Sequence, residues 1–206
     1  MIQDIWPKHL DNQYKNLKPG NEDTVFYFQG SSLLARPSGH FNSQNPEENV
    51  LIYPQYDEFV QGIKSSYGDK AVDNFEFIYL LSIDEEHFFL ARKTGSLERG
   101  TFLGEMADSA VHKDMYSFVR GYEFIGVDSF RKAQPREHAY AAITAFHLYG
   151  WYRDNHFCGR CGKPLKHDDK QRMLRCDCCK NMVFPKICPA VIVAVTDKDR
   201  ILLTKY

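Results

Sequence analysis

All six cysteines of this 206-residue chain fall between positions 158 and 188, and the first 157 residues contain none. A disulfide framework would staple the larger part of the chain as well, so thiols packed into one short segment point to metal binding in a reducing compartment. The spacing is Cys158-Gly-Arg-Cys161-Gly, a gap of fourteen residues, then Cys176-Asp-Cys-Cys179, a C-x2-C…C-x2-C pattern. Two residues between thiolates let a tight turn aim both sulfurs at one ion. Two such turns supply the tetrahedral four-sulfur shell that zinc favours. Gly162 permits a positive φ where the first turn folds back, and Leu165, Met173 and Leu174 can supply the short strands of a ribbon. Cys178 competes for a place in the second turn, and His156 and His167 are alternative ligands. The regular spacing favours Cys158, Cys161, Cys176 and Cys179. With all four positions filled by cysteine the ion has no open coordination site, so its role is structural. Cys188, in an apolar stretch, reads as a small buried residue.

The remainder has the makings of a packed core, with 43% hydrophobic and 14% aromatic residues. Residues 1 to about 130 read as β-rich: VFYFQ (25–29), SLLA (32–35), VLIY (50–53), FEFIYLLSI (75–83) and HFFLA (87–91) are apolar or alternating runs, the last two joined by a hairpin turn at IDEEH. DEFVQGIKSSYG (57–68) reads as a short helix ended by Gly68, and the polar, proline-bearing stretch 36–49 as an exposed loop. Residues 135–150 predict a helix with Pro135 at its first position and Ala139, Ala142, Ile143, Phe146 and Tyr149 along one face. The tail, with apolar runs at 190–195 and 201–203 about TDKDR, predicts a hairpin. The N-terminus lacks the pattern of a secretory signal, and no run approaches the roughly 18 apolar residues of a membrane span. The expectation is a cytoplasmic protein.

The formal net charge of −1 gives no global pull toward nucleic acid. The segment 151–186 differs, holding nine Lys and Arg against four acids, a local +5 that four thiolates and a Zn²⁺ reduce to about +3. A patch of this size could attract phosphates, or form no more than a solvated rim.

The stretches HLYGWYRDNHFCGRCGKPL and RMLRCDCCKNMVFPKICPAVIVAV resemble the NADH pyrophosphatase (NAD⁺ diphosphatase) family of Nudix hydrolases, specifically over about 145–206 and weakly over 1–130. Phe184-Pro185-Lys-Ile-Cys-Pro189 matches the family's aromatic-Pro-x-x-x-Pro segment. The resemblance implies an α+β protein: a β-rich N-terminal domain (1–134), a connecting helix (135–152), a four-cysteine zinc ribbon (153–184) and, over 185–206, the opening β-hairpin of a Nudix α/β/α sandwich. It implies hydrolysis of the NAD(H) pyrophosphate to AMP and nicotinamide mononucleotide, with NAD(H) or NAD-capped RNA as substrate, a possible homodimer, and no membrane. Phe184, where the family commonly has Tyr, and Arg131 stand as substrate-binding residues. Gln171 occupies a position where some members carry a substrate-contacting Glu. Family catalysis uses Mg²⁺ or Mn²⁺ held by the glutamates of an R-E-x-x-E-E-x-G helix. That box is absent from the 206 residues: Glu47-Glu48, Glu85-Glu86 and Arg136-Glu137 lack the surrounding pattern. The expectation is a chain truncated before the box, with no catalytic residues and inactive alone. The competing reading is a zinc-ribbon module for nucleotide or RNA binding, or for dimerisation, with Trp151, Phe157 and Phe184 as stacking faces.

Overall fold

In the computed structural model the described residues are 4–39, 50–94, 118–188 and 193–203. The chain is mixed α+β and mostly strands. Its main sheet is built from β1 (Leu10–Asp11), β2 (Thr24–Gln29), β3 (Ser32–Ser38), β4 (Val50–Ile52), β5 (Phe75–Ile83), β6 (Glu86–Lys93) and β7 (Glu123–Gly126). The spatial order is β1-β5-β6-β2-β3-β4, with β7 also paired to β3. Every pairing is antiparallel except β2 with β6, which run parallel from Thr24↔Phe88 to Tyr27↔Ala91. The helices are α1 (Tyr56–Tyr67) and α2 (Arg136–Asp154), with 3-10 turns at Asp69–Asn74 and Val127–Lys132.

The strands that read as continuous apolar runs are those buried on both faces, as expected of a sheet covered on each side. Phe26, Leu33, Ile78, Phe88 and Leu90 point into one cluster, which α2 closes with Ala139, Ala141, Ala142, Ala145, Leu148 and Tyr152. The alternate residues Val25, Leu34, Tyr79, Phe89 and Ala91 point into a second, closed by Phe59 and Ile63 of α1. The alternation breaks once. A register shift between Tyr79 and Leu81 puts both Leu80 and Leu81 into the first cluster, the local two-against-one geometry of a β-bulge.

Helix α1 starts and ends as its sequence directs. The Glu58 carboxylate accepts from the Gln55 backbone N–H at 3.1 Å, and Gly68 closes the helix at φ 85°. Within it, Gly62 lies against residues 118–119, where a Cβ would sit 2.8 Å from the Phe118 carbonyl oxygen. Helix α2 differs from its expected form in two respects. Pro135 precedes the first turn in an extended conformation, and the helix continues to Asp154. Its deepest stripe is Ala141, Ala145, Leu148 and Tyr152, while Ile143, Phe146 and Tyr149 pack half-buried at the cluster's margin. Four alanines let α2 approach the sheet closely, so the bulkier side chains reach in from the flank. Strand β3 also runs on through Pro37 to Ser38, into the stretch expected to be loop. Residues 40–49, which complete that stretch, lie outside the described residues.

Beyond α2 a separate three-stranded sheet, β8 (Leu165–His167), β9 (Leu174–Cys176) and β10 (Met182–Val183), has the order β10-β9-β8. It docks on the first cluster through Leu174, which is buried there, with Leu165 and Val183 packed beside it. The Arg172 guanidinium donates to the Leu80 carbonyl oxygen, at the bulge in β5. The last elements, β11 (Thr196–Asp197) and β12 (Arg200–Ile201), pair as a short hairpin. Val195, Ile201, Leu202 and Leu203 are exposed there, while Pro189, Val191 and Ile192 lie outside the described residues. Among the described residues no helix is long and apolar enough to cross a membrane.

Candidate metal centre

The two C-x2-C turns repeat one another bond for bond. In the first, the Gly162 N–H donates to the Cys158 carbonyl at 2.8 Å and the Cys158 N–H to the Lys163 carbonyl at 2.8 Å. In the second, the Lys180 N–H donates to the Cys176 carbonyl at 3.0 Å and the Cys176 N–H to the Asn181 carbonyl at 2.9 Å. Both turns need a positive φ at the residue after the second cysteine. Gly162 supplies 69°, and Lys180 adopts 60° despite its side chain. Loop closure by β8 and β9, paired Leu165↔Cys176 to His167↔Leu174, then brings the turns face to face.

The sulfurs of Cys158, Cys161, Cys176 and Cys179 all lie within 4.8 Å of one another. The cross-turn pairs Cys158–Cys179 and Cys161–Cys176 are 3.5 and 3.4 Å apart, and all four are free thiols rather than disulfides. Four sulfurs about 2.3 Å from one ion at tetrahedral angles would be roughly 3.8 Å apart, so the donor set fits such an ion closely. Among the described residues this is the group of His, Cys and carboxylate side chains that converges in this way. Cys178 is exposed and outside the cluster; His156 and His167 are half-buried and also outside it. Cys188 is exposed, contrary to the buried position expected of it. The segment after β10 runs over the surface, with Ile187 at 91% exposure beside it.

Backbone donors aimed at the sulfurs prepare them for a cation. Burial opposes ionisation of Cys158, but the Arg160 and Cys161 N–H groups and the neighbouring thiols outweigh it and bring this thiol down to about 6. The Cys179 and Cys178 N–H groups lower Cys176 in the same way. At Cys161 the Lys163 N–H favours the thiolate, yet Cys176, burial and the other thiols push it up to about 12. Cys179 is likewise raised, because burial and its sulfur neighbours overcome the Asn181 N–H. The pattern follows from charge: four thiolates repel one another without a cation between them, so two give up protons readily and two hold them. The Asn181 side-chain amide adds a donor 3.7 Å from the Cys158 sulfur.

The other expected site residues are not gathered here. Phe184 follows β10 and is 48% exposed. Arg131 belongs to the 3-10 turn Val127–Lys132, and its side chain lies outside the described residues. Of the expected stacking faces, Trp151 packs against the core with its ring 4.6 Å from that of Tyr152, and Phe157 is half-buried and bridged to Pro164. Only Phe184 of the three is open. In the same segment Arg175, Lys180 and Lys186 are exposed, the Lys180 ammonium donating to the Asp177 carbonyl at 2.7 Å, and Lys166 is paired with Asp177 at 2.6 Å. Sequence reasoning missed the Arg172–Leu80 contact and the left-handed Lys180. The repeat of the Cys158-x-x-Cys161-Gly162 pattern at Cys176-x-x-Cys179-Lys180 was the available signal for the latter.

No family model matches the chain. It is 38% identical over 55 residues to the NAD-capped RNA hydrolase NudC of Pseudomonas aeruginosa, covering 27% of this chain and 20% of that protein. It is 36% identical over 59 residues, 29% of the chain and 23% of the relative, to the proteins of the same name from Salmonella typhi and Salmonella heidelberg. The matched stretch thus spans about a fifth of the length of these curated relatives, and the likeness to NAD-capped RNA hydrolases is local.

Proposed function

We propose that this chain carries the N-terminal and zinc-ribbon parts of a Nudix-type NAD(H) diphosphatase, acting on NAD(H) or NAD-capped RNA. The observation that carries the reading is the local identity to NAD-capped RNA hydrolases. The convergence of Cys158, Cys161, Cys176 and Cys179, the ribbon named by the resemblance, supports it. In this reading those four cysteines hold one Zn²⁺, which neutralises their charge and ties the two turns together without an open position for chemistry. The chain's own part is then architectural. Backbone N–H groups orient the sulfurs, the three short strands fix the turns, and β10 presents Phe184 as an aromatic face for a substrate ring, with Arg131 a second substrate contact. The R-E-x-x-E-E-x-G glutamates that would hold Mg²⁺ or Mn²⁺ are not among these 206 residues, so the chain by itself is expected not to hydrolyse NADH.

Three measurements on the full chain test this. Elemental analysis after purification without chelator should return one zinc per chain; none would end the metal assignment. Incubation with NADH and Mn²⁺ should release no AMP; its release would refute inactivity. Titration with NADH and with NAD-capped RNA should show binding that Phe184→Ala weakens; no binding of either would overturn the substrate assignment.

A second reading is favoured by one observation, an exposed Phe184 in a segment that also exposes Arg175, Lys180 and Lys186. It is a ribbon that binds single-stranded RNA by stacking and charge without catalysis. Binding to uncapped RNA that falls steeply with salt, and equals that to capped RNA, would favour it.

A further inference from the structure

We propose that His167 is a pH-sensitive latch, and that protonation of its imidazole releases the three-stranded ribbon from the edge of the main sheet. His167 ends β8 and points into the joint between the two sheets. Its ring lies between Tyr14 at 5.4 Å and Tyr152 at 5.7 Å, centroid to centroid. Its Nε2 is buried with no hydrogen-bond partner. A neutral ring tolerates that position; an imidazolium would bury an N–H donor and a charge there without an acceptor.

Every element packed around the joint contributes a titratable or charged group. From β5 come Glu76 and Tyr79, and from β6 comes Arg92, whose guanidinium is bonded to Glu76 at 2.6 Å and lies 5.1 Å from the Tyr152 ring. From α2 comes Tyr152 itself. The N-terminal segment brings Tyr14, and Lys15 over the Tyr79 ring at 6.0 Å. The ribbon brings Lys166, Asp168, Asp169 and Arg172, the last 5.9 Å from the Tyr14 ring. Glu76 is the buried-side anion, and Arg92 already occupies it. Asp168 and Asp169 attract a proton from the turn, but Asp168 is committed to the Lys170 and Gln171 N–H groups at 2.9 and 3.0 Å. The Arg92 guanidinium and the rings of Tyr14 and Tyr152 therefore face the imidazole. Burial foremost, with Arg92 on its side, outweighs the pull of Glu76, Asp168 and Asp169 and holds its titration below the ordinary histidine value of 6.5. A groove of about 530 Å³, walled in part by Tyr14, Glu76, Arg92 and His167, gives water and protons a path to it.

The sign follows from linkage. Above pH 6.5 the ring is neutral whether docked or released, and docking is at full strength. As pH falls from about 6.5 through the lower docked value, the released state takes up the proton first, and docking weakens by at most about tenfold per pH unit for one proton. Arg172 on Leu80 is lost in the same motion, so the β5 edge is freed.

The test uses the full chain with its metal in place. The His167 ring resonance and amide protection factors in β5, β8 and β9 are followed by NMR between pH 7 and 4.5, with zinc retention read in parallel. Expected are a His167 titration below 6.5, protection in β8 and β9 falling as pH drops, and zinc still bound. His167→Phe should make protection flat over the same range, and Glu76→Gln, by removing a carboxylate that favours the charged ring, should lower the docked titration and so deepen the loss of protection at low pH. A ring titrating at 6.5 or above overturns the latch, as does a protection profile unchanged in His167→Phe. Opening that tracks zinc loss equally in both chains also overturns it.

Discussion

Replacing Cys176 by serine should abolish stoichiometric zinc binding, whereas replacing Cys178, two residues on, should leave it intact. The difference follows from position: Cys176 is fully buried with its sulfur 3.4 Å from that of Cys161, while Cys178 is exposed and outside the group of converging sulfurs. Loss of a group that merely orients a metal ligand typically costs about 10–100-fold in affinity, so loss of a ligand itself should exceed about a hundredfold. The ribbon has little else to hold it. Its strands are three, three and two residues long, and its deeply buried residues are Cys158, Met173, Leu174 and Cys176, far short of an independent core. Metal loss should therefore unfold the ribbon and leave the two-faced main sheet standing. Metal content by elemental analysis and the charge-transfer bands of the Co²⁺-substituted protein, recorded for both variants, measure this. Full stoichiometry in Cys176→Ser, or equal loss in Cys178→Ser, would refute the ligand set.

Three further outcomes are expected. Gly62→Ala, ordinarily worth up to about 1 kcal/mol of added helix stability, should instead destabilise by about 1–3 kcal/mol, because its Cβ would meet the Phe118 carbonyl oxygen at 2.8 Å and the Val119 side chain at 3.0 Å; denaturant unfolding measures it. Tyr152→Phe should be neutral or stabilising by about 1 kcal/mol, since the Tyr152 hydroxyl is buried without a partner; a loss beyond that, in the same assay, would reveal a bond the hydroxyl makes. Leu174→Ala should cost about 2–5 kcal/mol and lower protection in the ribbon and at the β5 edge together, because Leu174 is 1% exposed in the shared cluster.

What the sequence disclosed was local. The two-residue cysteine spacing needs only a tight turn, so the convergent set could be read directly, as could the β5–β6 hairpin, whose turn at Asp84 takes φ 52°. Gly68 as the end of α1 is of the same kind. What it concealed depends on distant partners. The parallel pairing of β2 and β6 joins residues some sixty positions apart. Strands β1 and β7 are too short to carry a period. The buried stripe of α2 is mostly alanine, so the apolar pattern caught Ala139 and Ala142 but otherwise pointed to the bulkier Ile143, Phe146 and Tyr149 on its flank. Cys188 looked apolar by its neighbours, but the thiol is exposed, as is Ile187 beside it. Arg172, one more cation of a basic ribbon by sequence, finds its acceptor 92 residues away at Leu80.

That contact changes how the ribbon is understood. Independent units joined by a helix would exchange no energy, yet here Leu174 sits next to ligand-bearing turns on one side and in the main cluster on the other. The guanidinium after the Asp168 turn caps the one irregular carbonyl of β5. An ion held by the four sulfurs would fix β9, and β9 fixes Leu174 and, through the preceding residues, Arg172. Metal binding and ribbon docking are then successive links of one chain of contacts: the first orders the turns, the second seats them on the sheet. His167 acts on the second link alone, from the strand paired with β9. A proton at His167 can therefore loosen the seat while the ion still orders the ribbon, whereas loss of the ion removes both.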